Sequence, residues 1–209
     1  MATATAIEIE IPSVDKRLYK HVQLGGTSNG ADGMDVLLIS DPETDKCSAA
    51  MDVNIGQFCD AHETQGIAHF LEHMLFIGTT KYPEENDYDG YLSQHGGSSN
   101  AYTDLEHTCY FFDIQATDHT VFANGFDRFA QCFIAPLFTK TALEREVQAV
   151  DSEHAKNIPQ DMWRMYQLSK TKLVEATDPS HPVSKQRASS TQLITHIWWM
   201  NSPLFFSWF

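Results

Sequence analysis

Apolar and polar positions change period several times along the chain, and each change predicts an element. Tyr19 to Gln23 reads as a short strand, and Asn29-Gly30 and Asp32-Gly33 as turns. Met34 to Ser40 (MDVLLIS) is a nearly continuous apolar run closed by Asp41-Pro42, the pattern of a buried strand. Ser48 to Ile55 (SAAMDVNI) alternates and predicts another strand. The period then lengthens. Ile67, Phe70, Leu71, Met74 and Leu75 recur at helical spacing over Gln65 to Ile77, with Gly78 expected as a left-handed cap. A second helix is predicted over Asn86 to Gln94, ending before Gly96-Gly97. An edge strand is expected over Ser98 to Asp104, and an aromatic-rich strand over Thr108 to Ile114 (TCYFFDI). Thr120 to Phe133 reads as an amphipathic helix. The longest helical pattern runs from Thr141 to Lys172 and is expected to break at Pro159.

Strands mixed with helices in this way predict an α+β fold: a mixed, largely antiparallel sheet with helices packed on one face. Composition agrees with a folded chain, since 42% of the 209 residues are apolar and 20% charged. Charge narrows the partners. Lys and Arg number 14 against 28 Asp and Glu, a formal net charge of -14, which disfavours nucleic acid and anionic membrane. The four cysteines (Cys47, Cys59, Cys109 and Cys132) form no C-x-x-C pair, so reduced, mostly buried thiols are expected. The first fourteen residues alternate apolar and acidic side chains (AIEIEI) without the basic start of a secretory signal. No apolar stretch is long enough to span a bilayer, and the cytosol is the default compartment.

Chemistry concentrates at His69-Phe70-Leu71-Glu72-His73. Helix positions four apart share a face, so His69 and His73 can offer two imidazole nitrogens to one cation. Glu72 borders that face and can reach a water on the ion without being a ligand. A third ligand is then required. Glu146 and Glu153 lie seven residues apart on the later helix, almost two turns and about 10 Å, and project from one side. Either could complete a His-His-Glu set. The H-x-x-E-H order is the inverted zinc-peptidase motif.

The stretch GIAHFLEHMLFIGTTKYPEENDYDGYLSQHGGSSNAYTDLEHTCY, from Gly66 to Tyr110, resembles the pitrilysin–insulysin family of zinc endopeptidases. The resemblance continues through LEREVQAVDSEHAKNIPQDMWRMYQLSK and fades after Lys185; it is strongest to the insulin-degrading-enzyme branch. It implies one Zn2+ per chain held by His69, His73 and Glu153, with Glu72 as the general base. It implies that Glu146 is a second catalytic acid, supporting a ligand or tuning the electrostatics. Ser99 to Tyr102 matches an edge strand on which substrate adds as a further strand, with Asn100 and Ala101 holding it in register. Phe76, Tyr102, Trp163 and Tyr166 match positions near substrate side chains, with core packing an equal reading for Phe76 and Tyr166. The expected function is zinc-dependent hydrolysis of oligopeptides. The alternative is a truncated, non-catalytic fragment that binds peptides or a full-length relative without cleaving. Association with such a relative, or homo-oligomerisation, completes the expected partners.

Residues 1–185 are thus expected to form an N-terminal peptidase domain, incomplete at its C-terminal end. Residues 186–209, with Trp198, Trp199, Phe205, Phe206, Trp208 and Phe209, depart from the family and are expected to be a divergent aromatic tail from an alternative transcript or a misassigned gene end. The missing layer is expected to leave unpaired strand edges.

Overall fold

The computed structural model describes residues 4–7, 9–25, 33–61, 63–115, 118–175 and 193–195. Seven strands are β1 Ala4–Ile7, β2 Leu18–Gly25, β3 Gly33–Ser40, β4 Lys46–Val53, β5 Ser98–Thr103, β6 Thr108–Gln115 and β7 Leu193–Thr195. They form one sheet in the order β1-β2-β3-β7-β4-β6-β5. Every pairing is antiparallel except β3 with β7. Five helices are α1 Ile67–Leu75, α2 Asp87–Gln94, α3 His119–Ile134, α4 Lys140–Asn157 and α5 Asp161–Glu175. The α+β architecture expected from the sequence is the one observed.

The period-two pattern of β6 decides which face is covered. Tyr110, Phe112 and Ile114 are buried, while Phe111 and Gln115 face outward. In register beside them on β4 lie Ala49, opposite Phe112, and Cys47, opposite Ile114. Leu75 of α1, Tyr88 and Leu92 of α2, and Val121, Phe122 and Phe129 of α3 close over this face as one apolar cluster. Burying a side chain of this size stabilises by about 1.5–3 kcal/mol, so the cluster anchors all three helices to the sheet.

Several elements differ from the sequence expectation. The N-terminal alternation is a strand, β1, pairing Ile7 with His21. Helix α1 ends at Leu75 with Phe76 as its right-handed cap, and Gly78, at φ +145°, lies outside the left-handed well expected of a cap. Pro159 does separate α4 from α5, as expected of a residue without an N–H. Cys47 and Cys132 are buried free thiols, but Cys109 is only partly buried and Cys59 is exposed. The turn signals at 29–32 and all of the expected tail except β7 lie outside the described residues.

Candidate active site

Helix α1 carries the H-x-x-E-H motif and is held at both ends. Its N-cap, Gly66, sits at φ +93°, a conformation L side chains rarely adopt, and offers no side chain to cap the first turn. Asp60 supplies the cap instead. Its carboxylate accepts from the backbone N–H of Gly66 at 2.7 Å and of Ala68 at 3.0 Å, and it is itself 2% exposed. A negative group there also complements the positive helix terminus. At the other end, Met74 and Leu75 are buried. The intervening face, with His69 and His73, turns toward α4.

The two imidazoles stand edge to face, 4.9 Å between ring centroids. Oε2 of Glu153 on α4 lies 3.6 Å from Nε2 of His69 and 3.6 Å from Nε2 of His73. Among the described residues, His69, His73 and Glu153 form a group whose ligand atoms all fall within 4.8 Å of one another. A tetrahedral zinc with bonds near 2.1 Å separates its ligand atoms by about 3.4 Å, so the nitrogen–oxygen distances fit such an ion closely. The donor set, two imidazole nitrogens and one carboxylate oxygen, is that of a catalytic zinc site with a position left for water.

Glu146, two turns before Glu153 on α4, meets the other nitrogen of His73: Oε2 lies 3.3 Å from Nδ1. A carboxylate only accepts, so this contact forms with a hydrogen on Nδ1, an arrangement that leaves Nε2 available to a cation. The second oxygen of Glu146 accepts from Arg145 at 3.1 Å, and Arg145 also reaches Glu85 at 3.1 Å. Glu146 and Glu153 thus bring two carboxylates to His73, while Arg145 divides its guanidinium between Glu146 and Glu85. Carboxylates gathered beside two imidazoles in this way favour a divalent cation.

Glu72 turns toward β5, where the hydroxyl of Thr103 donates to its Oε2. No sequence signal marked Thr103 or Asp60. Both act through contacts across the fold, and single Thr and Asp residues carry no pattern. The residues expected near substrate divide. Asn100 and Tyr102 project from the exposed positions of β5, while Ala101 packs against the core. Among the described residues β5 pairs only with β6, so its other edge is open. Phe76 stacks on Tyr88 at 5.7 Å and meets Tyr110 edge-on at 5.8 Å, within the core cluster. Trp163 and Tyr166 contact each other on α5. The Tyr166 hydroxyl donates to Asp104 at 3.0 Å, tying α5 to the turn after β5. Partial burial, with that bond, pushes its phenol up to about 12.

Comparison with known proteins places this geometry. Residues 35–175 match the family Insulinase (Peptidase family M16). The chain is 52% identical over 171 residues to Insulin-degrading enzyme of Homo sapiens, an alignment covering 82% of this chain and 16% of that protein. It is 53% identical over 163 residues to Insulin-degrading enzyme-like 2 of Arabidopsis thaliana, covering 78% of this chain and 16% of that one. The crystal structure of pitrilysin superposes on 96% of this chain with a TM-score of 0.75 and 30% identity, using 23% of the pitrilysin chain. The chain therefore spans about one-sixth of the length of these curated relatives. Among the described residues no helix is long and apolar enough to cross a membrane. With the model match covering most of its described residues, the chain belongs to the insulinase family of peptidases.

Proposed function

We propose that the protein is a zinc metalloendopeptidase domain that hydrolyses peptide bonds of oligopeptides. The observation that carries this reading is the convergence of Glu153 Oε2 on both imidazole Nε2 atoms at 3.6 Å. His69, His73 and Glu153 would hold the zinc, and Glu146 would fix the tautomer of His73. Zinc, when bound, supplies the charge that acidifies water and polarises a carbonyl. Glu72 takes the proton of the attacking water and returns it to the leaving amine, so no covalent enzyme intermediate is needed. The open edge of β5, near Asn100, Ala101 and Tyr102, would receive the substrate backbone as an added strand. Trp163, Tyr166 and, less directly, Phe76 border the path of its side chains. The match over residues 35–175 supports 1–185 as the peptidase domain.

Cleavage of a quenched fluorogenic peptide, with and without a zinc chelator, tests the proposal. Chelator-sensitive cleavage is expected, and Glu72→Gln should retain zinc yet lose about 10²- to 10⁴-fold in turnover. Cleavage that ignores the chelator, or a Glu72→Gln variant at the parent rate, would refute it. The short span relative to the relatives favours one second reading, a fragment that binds peptides without cutting them. Peptide binding without chelator-sensitive turnover would select it.

A further inference from the structure

Thr103 closes β5, the strand beside α1. Side chains alternate along this strand: Ser98, Asn100 and Tyr102 are exposed, and Ser99, Ala101 and Thr103 turn toward the helices. Thr103 therefore meets Glu72, and its hydroxyl bonds to Oε2. A carboxylate has no hydrogen to give, so Thr103 is the donor. Thr108, opposite Thr103 in the β5–β6 ladder, places its oxygen 3.4 Å away. Thr108 is 3% exposed and spends its own hydrogen on the carbonyl of Ile55 at 2.8 Å, which locks its oxygen in place. Thr103 is held from its backbone side as well, where Gln57 Nε2 donates to its carbonyl at 3.4 Å.

We propose that Thr103 is a positioning residue for Glu72. Its hydroxyl fixes one carboxylate oxygen, so the other is presented in one orientation to the proton of the attacking water. A glutamate has three rotatable side-chain torsions, and its terminal torsion is broad. Without a fixed partner the carboxylate samples orientations that do not accept that proton, and the loss falls on turnover rather than on substrate binding. The strand whose open edge would receive the substrate backbone thereby also aims the base, and the two shift together. This inference rests on Glu72 as the base.

The test uses the full 209-residue chain supplied with zinc and compares Thr103→Val with Thr103→Ser. Valine keeps the shape and removes the donor; serine keeps the donor. Thr103→Val should lower kcat about 10- to 100-fold, with KM and zinc content unchanged. Thr103→Ser should recover most of the parent kcat. A merely structural threonine would instead move KM, zinc content and stability together. An unchanged kcat in Thr103→Val, or equal losses in both variants, overturns the proposal. If the parent chain shows no chelator-sensitive turnover, the hydrolytic reading fails by itself, and the pairing is then read from stability. Thermal unfolding of Thr103→Val, Glu72→Ala and the double variant should give Tm losses that do not add. Additive losses overturn the pairing.

Discussion

Helices α1 and α4 supply the two sides of the same site but are held by different means. Helix α1 has a buried carboxylate on its first turn, two buried side chains at its end, and Glu72 tied to β5. Helix α4 is twice as long, 18 residues against 9, yet Ala142 is its one buried residue, and Val147 is 55% exposed. The ligand side chains show the same contrast: His69 and His73 are 27% and 24% exposed, and Glu153 is 45% exposed. The core therefore pre-organises the imidazoles, whereas packing holds the more exposed carboxylate of Glu153 less firmly. A cation held as proposed, joining the helices, would lend α4 stability that packing does not supply.

The largest effect should come from removing that join. Glu153→Ala should leave the chain folded but lose its zinc on dialysis, as measured by atomic absorption. In the zinc-loaded parent, amide exchange should slow more in α4 than in α1. Equal protection of both helices would break the comparison. Next, Glu146→Gln should weaken zinc affinity about 10- to 100-fold, because an amide can satisfy Nδ1 of His73 without raising the basicity of the ring. A competition titration reads this directly, and undiminished affinity would remove Glu146 from its orienting role. The smallest effect concerns α1 itself. Asp60→Ala should cost about 1–2 kcal/mol in urea unfolding through loss of the cap. The exchange rates of Gly66 and Ala68 should rise while those of α4 stay put. A loss spread over both helices would show that α1 is not separately secured.

These two helices also mark where the sequence was legible. His69, Glu72 and His73 lie within five consecutive residues, so helical geometry alone aligns them. The sequence marked Thr108 to Ile114 as an aromatic-rich strand but not which of its faces is covered, since the neighbours Phe111 and Phe112 fall on opposite faces. Glu146 and Glu153 were not separable by their own pattern. They share one face of a mostly exposed helix, and which carboxylate meets Nε2 and which meets Nδ1 depends on how α4 crosses α1. The family resemblance chose Glu153 for the ligand, and Glu153 Oε2 lies 3.6 Å from both Nε2 atoms. Thr103 and Asp60 were beyond reach for a different reason. Their partners, Glu72 and the backbone of Gly66 and Ala68, are defined only once β5 and the loop before α1 have packed. The cap expected at Gly78 failed because tertiary packing of Phe76 ended α1 first.

The heptad spacing of Glu146 and Glu153 works as a ruler. Seven residues fall only about 20° short of two full turns, so one carboxylate stands almost directly above the other. Inserting one residue between them would swing the distal group by about 100° and carry it off the face that looks at α1. Lengthening the connection between β6 and α3 leaves that angular phase untouched. Relatives of this chain can therefore vary in loop length between the histidines and the glutamates, while the interval inside α4 has no such latitude.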